Sequence, residues 1–470
     1  MKNLVLSVCG IAVATALITP KIVSNQVESQ LHTIASEINA AYGYNASVSS
    51  LQSNWFNTSG KIKITMDAEA FATQDSMTTA PEDLYLEFDI QANHGPILTE
   101  GENTFGLLNM SVTLTHDKLR EYIKWSEKSP FYGATVYTNL FGNTSYKDAI
   151  QAFTITDAEN DVDVEFEGYQ GEGTFSNGTL SYHGSSVPSH VSVDKVNVEI
   201  GEIKMSMVAN ASFADLLQTG LYDSESKFTI SSFNIRDDAK DVNAKLDNIY
   251  IEAISKIDEV KKAANIAVTY GVGAVKAKDF NATDIALALE VNNISKDFVK
   301  AYQENAEIFT QGSAEEIGAN IERFAQDNLL SLLAAEPQIN ITSLRATLED
   351  GTFESNLNTS VVGITQLPAV MQDPSFWLQH FLANGEIKGS KAVIERIAAV
   401  VMESQIKADP EAADMTQEQI KQIAAQQAPQ FLQTFVQQGL IIENQSGYQT
   451  NFVFKNKALT VNDNPIPLPI

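Results

Sequence analysis

Lys61-Ile62-Lys63-Ile64-Thr65-Met66 alternates polar and apolar residues with period two. In an extended chain this places Ile62, Ile64 and Met66 on one face and the lysines on the other, the signature of a strand with one face buried. Just before it stands Trp55-Phe56-Asn57-Thr58-Ser59-Gly60, whose Asn-to-Gly tip reads as the turn of a hairpin, with Ala46, Val48 and Leu51 on the incoming arm.

The same alternation returns along the chain. It is found in Leu84, Leu86, Phe88 and Ile90, in Leu108, Met110, Val112 and Leu114, and in Val162, Val164 and Phe166. It continues in Val191, Val193, Val196, Val198 and Ile200, then from Phe228 to Ile235 and in Ile249 and Ile251. No long helical pattern separates these runs, so the strands are expected to pair antiparallel, with one polar and one buried face.

Helical spacing appears at both ends. Ile22, Val23, Val27, Leu31, Ile34 and Ile38 predict a helix over about 22–41 that stops at Tyr42-Gly43-Tyr44. Short inserts are expected over Leu119 to Trp125, Phe213 to Leu217 and Phe298 to Tyr302. In the C-terminal third, Ile317 to Leu333 ends before Pro337, Asp350-Gly351 marks a hairpin turn, and Val393 to Ile406 and Gln417 to Gln438 form two further helices. Pro429 is expected to kink or split the last of them. Tyr448 to Phe454 and Leu459 to Asn462 close the chain as a hairpin, and Pro465, Pro467 and Pro469 argue against another central strand. The predicted fold class is α+β, mainly β: a long curved antiparallel sheet with short helical inserts and helices from the C-terminal third packed on one face.

The uncharged run Leu4 to Thr19 reads as an export signal. Ala14-Thr15-Ala16 fits a cleavage site, whereas the helical pattern continuing past Pro20 favours a retained anchor. Residues 1–20 are therefore a signal anchor or a signal peptide, and 21–470 one elongated extracytoplasmic domain. Lys2 places the N-terminus in the cytoplasm. The expected location is the inner membrane, single pass and with the bulk periplasmic, or the soluble periplasm after cleavage. Cys9, the only cysteine, lies within this run, so disulfides and thiolate chemistry are not expected.

A formal net charge of −28 opposes binding to nucleic acid or to bare anionic headgroups. The longest basic cluster is Lys261-Lys262, read as a solvated helix face. No His-x-x-x-His pair and no Gly-x-Ser-x-Gly elbow occurs. His183 and His190 stand near Asp161, Asp163 and Glu165 in sequence, but the acids read as the wet face of a strand. Gly171 and Gly173, and Gly271 and Gly273, read as turns. No catalytic residue, cofactor or metal is expected, and the chain is not expected to be an enzyme.

One ordered set carries a likeness. The N-terminal apolar run, the amphipathic helix, Trp55 to Gly60 leading into a strand, His94-Gly95-Pro96, and the ending from Gly447-Tyr448 through Phe452, Leu459, Val461, Asn462 and Pro465 together resemble the DUF945 family, of the YdgA type. The resemblance implies an exported Gram-negative bacterial protein of undefined biochemical role. Asn462-Asp463 departs from the Asn-Gly usual there, and the family supplies no catalytic residues; His94-Gly95-Pro96 reads as a structural turn. The expected partners are lipid or a hydrophobic segment of another envelope protein, held in an apolar trough on the sheet. A plain scaffold and an envelope hydrolase are the alternatives.

Overall fold

The computed structural model describes residues 27–468 except 41–42, 54–56, 67–83, 95–96, 99, 115–116, 158–160, 212–220, 238, 279, 306–308, 310–312 and 409–414. The chain divides into two compact units: Met1–Asn243 with Gln303–Asn320, and Ala244–Tyr302 with Ile321–Ile470. Every strand pair with an assigned register is antiparallel, and helices interrupt the sheet only briefly before the C-terminal third.

The first unit opens with α1 (Val27–Ala40), which packs its buried Leu31, Ile34 and Ala35 over the first strands. Then come β1 (Tyr44–Ser53), β2 (Asn57–Met66), β3 (Leu84–His94), β4 (Leu108–Leu114), β5 (Lys124–Trp125), β6 (Tyr132–Thr138), β7 (Thr144–Ile150) and β8 (Phe153–Asp157). β9 (Val162–Phe166), β10 (Tyr169–Ser176), β11 (Thr179–Ser186), β12 (Ser189–Val193), β13 (Val196–Ile200), β14 (Ile203–Asn210) and β15 (Asp223–Asp237) follow. The main ladder runs β1-β2-β3-β4-β6-β7-β10-β11-β14 and reaches the first half of β15. A shorter ladder, β5-β8-β9-β12-β13, joins the second half of β15. The alternation of β4, β6 and β7 closes one face: Leu108, Met110, Val112, Ala134, Val136, Tyr146 and Ile150 are buried, and their sequence neighbours face outward.

The second unit is a meander of longer strands. β16 (Val242–Asp258), β17 (Ala263–Ala277) and β18 (Phe280–Ser295) lead to α2 (Lys296–Glu304) and α3 (Ala314–Leu333), then to β19 (Gln338–Leu348) and β20 (Gly351–Val361). α4 (Pro374–His380), β21 (Phe381–Gly389), α5 (Lys391–Ala408) and α6 (Gln417–Gln437) precede β22 (Ile442–Asn444), β23 (Gly447–Lys455), β24 (Ala458–Val461) and β25 (Asn464–Ile466). From β16 to β21 each strand pairs with the next, β21 pairs with β23, and β25 pairs only with β24, the edge place that Pro465 permits. The ladder is broken by bulges at β17/β18, β18/β19 and β19/β20. Asn248, Asp284 and Asn293 take up positive φ, and such insertions bend strands.

α5 and α6 lie against each other and enclose Tyr448 with Ala398, Ala428 and Leu432. Pro429 does not split α6, because Ile420, Ala424, Ala428 and Leu432 form one buried stripe on both sides of it. Thr416 caps α6: its hydroxyl accepts from the Gln419 amide at 3.3 Å while the Gln419 side chain accepts from the Thr416 amide at 2.9 Å. Thr416→Ala is expected to cost about 1 kcal/mol, read as a lowered thermal transition of the second unit.

Four expectations are corrected. Lys261-Lys262 sits in the β16–β17 hairpin turn, where Lys262 has φ 51°, not on a helix. Leu119 to Trp125 is a 3-10 turn (Asp117–Glu121) followed by β5. Asn57 to Gly60 begins β2 and pairs in register with β3 instead of forming a turn. Gly171 and Gly173 lie inside β10, and Gly271 and Gly273 inside β17. These glycines make room: a Cβ on Gly173 would stand 2.5 Å from the Tyr146 ring, and one on Gly271 would stand 2.1 Å from the Tyr250 ring. The run Leu4 to Thr19, the insert Phe213 to Leu217, the pair Gly95-Pro96 and the tip Trp55-Phe56 lie outside the described residues. Among the described residues no helix is long and apolar enough to cross a membrane.

Candidate functional site

β16 to β19 are rich in Ile, Val, Leu and Ala on residues that share one face, which suits a pleated surface packed against something apolar. Register defines that face. Ile251 stands opposite Tyr270, Tyr270 opposite Leu287, Leu287 opposite Leu344, and beyond Ser355 the row reaches Ile387. A parallel row runs Ala253, Val268, Leu289, Ile341, Leu357.

Among the described residues nothing in the second unit fully covers these rows. Within the strands β16 to β20 only alanines are buried among the apolar residues; none of the larger aliphatic or aromatic side chains is. Tyr270 keeps 45% of its surface exposed, Leu344 36% and Ile339 63%. The contrast with the first unit is sharp, since the equivalent alternation there ends in side chains that are fully buried. Toward β21 and β23 the face closes again: Ala383 and Phe454 are buried, and α5 contacts β20 and β23. The helices of the C-terminal third thus cover one end of the face and leave the β16–β19 end half-exposed, an apolar patch of the kind that marks a binding surface.

The opposite face of the same strands carries ion pairs. Arg345 reaches Asp284 through two bonds of 3.0 and 3.1 Å, and Lys388 pairs with Glu354 at 2.9 Å. The guanidinium holds the Asp284 carboxyl below its ordinary pKa. Ion pairs therefore mark the side opposite the Ile251–Leu344 row, a side that also carries the exposed Ile254.

Buried polar chemistry belongs to the first unit. Asp148 is only 5% exposed, facing Tyr132, Tyr146, Tyr169 and Tyr182. The Tyr182 hydroxyl donates to Asp148 Oδ1 at 3.4 Å and shares a hydrogen bond with the Tyr169 hydroxyl. Tyr146 and Tyr182 stack with ring centroids 5.6 Å apart. Among the described residues the Tyr132 and Tyr146 hydroxyls find no partner. Burial pushes the Asp148 carboxyl up from 3.8 to about 6, opposed by the hydrogen bond from Tyr182. Burial likewise raises all four tyrosines. The cluster lies in the core of the first unit, with Asp148 at the edge of a cavity of about 940 Å³ that Gly171 and Gly184 also line. Sequence reading missed it because Asp148 and these tyrosines come from four strands, β6, β7, β10 and β11.

The histidines weighed in the sequence separate. His190 on β12 stands opposite Glu165 on β9, and His183 on β11 bonds to Glu172 Oε1 at 2.9 Å. Among the described residues no group of His, Cys, Asp and Glu is placed to hold a metal.

No curated protein matches the chain, and no solved structure matches it. One family does: residues 1–469 match DUF945, described as a bacterial protein of unknown function. With nearly the whole length matched, the chain belongs to the DUF945 family.

Proposed function

We propose that this is a non-enzymatic envelope protein whose second unit binds the acyl chain of a lipid on the half-exposed face of β16 to β19. The observation that carries the reading is the absence of any fully buried large apolar side chain across five consecutive strands, β16 to β20, all of them described. Covering such side chains contributes about 25 cal/mol per Å² of apolar surface removed from water. An acyl chain supplies about 0.8 kcal/mol per methylene it buries, so a long chain offsets the cost of association and a short one does not. The 15 residues of β17 extend over about 50 Å at roughly 3.3 Å per residue, longer than any common acyl chain. The run Leu4 to Thr19, as an export signal or anchor, would place this face in the periplasm.

Titrating the full chain with saturated fatty acids of increasing length, by displacement of a fluorescent acyl probe, tests the reading. Because the face covers a chain from one side, each two added methylenes are expected to tighten binding roughly fourfold to tenfold. Affinity independent of chain length, or no displacement, contradicts it and leaves the scaffold reading.

A further inference from the structure

The loops at one end of the first unit hold large apolar side chains out in water. Register locates that end. Ser53 stands opposite Thr58, Thr58 opposite Ala92, Ala92 opposite Met110 and Met110 opposite Val136. The β3–β4 loop and the β6–β7 turn therefore leave the sheet beside the last residues of β1. Phe141, in the β6–β7 turn, is 91% exposed, and Leu140 beside it 49%. Ile97 and Phe105, in the β3–β4 loop, are each 61% exposed.

Both tips are held in place. In the turn, Asn139 Oδ1 accepts from the amides of Phe141 at 2.9 Å and Asn143 at 3.1 Å, the Asn139 amide donates to the Asn143 carbonyl at 2.9 Å, and Gly142 takes φ 84°. Ser176 on β10 fixes Asn143 through a bond of 2.6 Å. In the loop, Ile97 bridges Phe105 antiparallel, which sets the two side chains on one face, and the neighbouring Leu98 is buried as the root. The Tyr137 hydroxyl on β6 donates to the Phe105 carbonyl at 2.8 Å, tying the loop to the strand that carries the turn. None of these bonds uses the side chain of Leu140, Phe141, Ile97 or Phe105. Turns ordinarily place small polar residues at such positions, so the fold alone does not account for four exposed apolar side chains on two locked tips.

The route of the chain and its charge point to a bilayer. Three residues join α1 to β1, and Asn39 bonds to the Ala46 backbone at 2.9 and 2.5 Å. Leu31, two turns earlier, is buried in the same core. α1 therefore runs back along β1, over about 21 Å for its 14 residues, and directs Val27 toward the Ser53 end. The apolar run Leu4 to Thr19 precedes Val27, so a chain held in a membrane by that run enters the first unit at the end where the tips stand. Acids accompany the tips: Glu100 and Glu102 are exposed in the β3–β4 loop of a chain of net charge −28. Anionic headgroups are repelled there, and insertion draws on apolar area. We infer that Phe141, Leu140, Ile97 and Phe105 insert into the interface of a zwitterionic bilayer, which docks the first unit by this end. The inference shares the export reading of Leu4 to Thr19 and is independent of the acyl-binding face, which belongs to the other unit.

The test uses the full chain reconstituted into vesicles of phosphatidylcholine and phosphatidylethanolamine, with Cys9→Ser leaving one labelling site. A nitrobenzoxadiazole probe, which brightens in an apolar environment, is attached through Phe141→Cys, Phe105→Cys or, as a control, Lys128→Cys, an exposed position beyond the opposite end of β6. Because the apolar run can hold the chain on vesicles by itself, the readout is the environment of each position and not binding as such. Emission at 141 and 105 is expected to rise severalfold on reconstitution and to be quenched by lipids carrying a nitroxide on the acyl chain, and emission at 128 to do neither. Leu140→Asp with Phe141→Asp should lower the rise at 105 roughly tenfold, since burial of even one such side chain is worth about that factor. Flat emission at 141, an equal rise at 128, or a signal seen only with phosphatidylglycerol present would overturn the inference. So would a rise without vesicles that grows with protein concentration, which would assign the tips to a second copy of the chain. A failure here leaves the acyl-chain reading intact, since the fatty-acid titration reads the other unit.

Discussion

A Tyr270→Glu, Leu344→Glu double variant is expected to lose long-chain acyl binding by at least about a hundredfold while melting within a few degrees of the parent. The two positions flank Leu287 on one row of the open face. Binding would press an acyl chain over two carboxylates, stripping their water without offering a partner, and an uncompensated buried charge costs several kcal/mol. In the free protein the same side chains keep 45% and 36% of their surface in water, so the substitutions have little folded-state packing to lose. This separation of binding from stability distinguishes a ligand surface from an ordinary core. A parallel change at Val136, which is fully buried, should do the opposite: Val136→Glu buries a charge with no partner and should unfold the first unit. Titration with an acyl probe and a thermal scan read both.

Asp148→Asn is expected to stabilise the first unit at pH 8. The carboxyl is 5% exposed, and burial has raised its pKa from 3.8 to about 6. A carboxyl whose pKa is higher in the folded chain holds its proton more tightly there. Its favourable contribution is full below pH 4 and is lost as pH rises through about 6. At pH 8 the native protein therefore carries a buried charge whose cost is about 3 kcal/mol at about 1.4 kcal/mol per unit of pKa. Asparagine keeps the shape and removes the charge. The variant should melt several degrees higher at pH 8, and the gap should close by pH 4. A gap that is constant across this range would assign the effect to packing instead of ionisation.

Much of this architecture is legible in the residues themselves. Period-two runs such as Ile62–Ile64 and Leu108–Leu114 are strands because alternation places one side chain in two against the core, and the structure confirms them. The helices over 314–333, 391–408 and 417–437 follow from apolar stripes in the same way. Less visible were β6, β7, β10, β11 and β14; in β10 and β11 the small residues Gly171, Gly173 and Gly184 interrupt the alternation. Those gaps are filled by tyrosine rings from adjacent strands: the Cβ missing from Gly184 leaves space for the Tyr169 hydroxyl, and that of Gly171 for Tyr182. A glycine under a cross-strand aromatic looks like a turn until its partner is known. The open face was half-legible. Its apolar residues are plain in sequence, but whether a helix covers them depends on long-range docking, which no local pattern encodes.

The most direct test of the central claim is photo-crosslinking in cells, with a benzophenone amino acid placed at Tyr270 and, as a control, at Lys227 on the first unit. Irradiation followed by mass spectrometry of the purified full chain should show a lipid adduct at position 270 and none at 227. A lipid adduct absent from 270, or equal at both positions, contradicts the claim that the face of β16 to β19 is an acyl-binding surface.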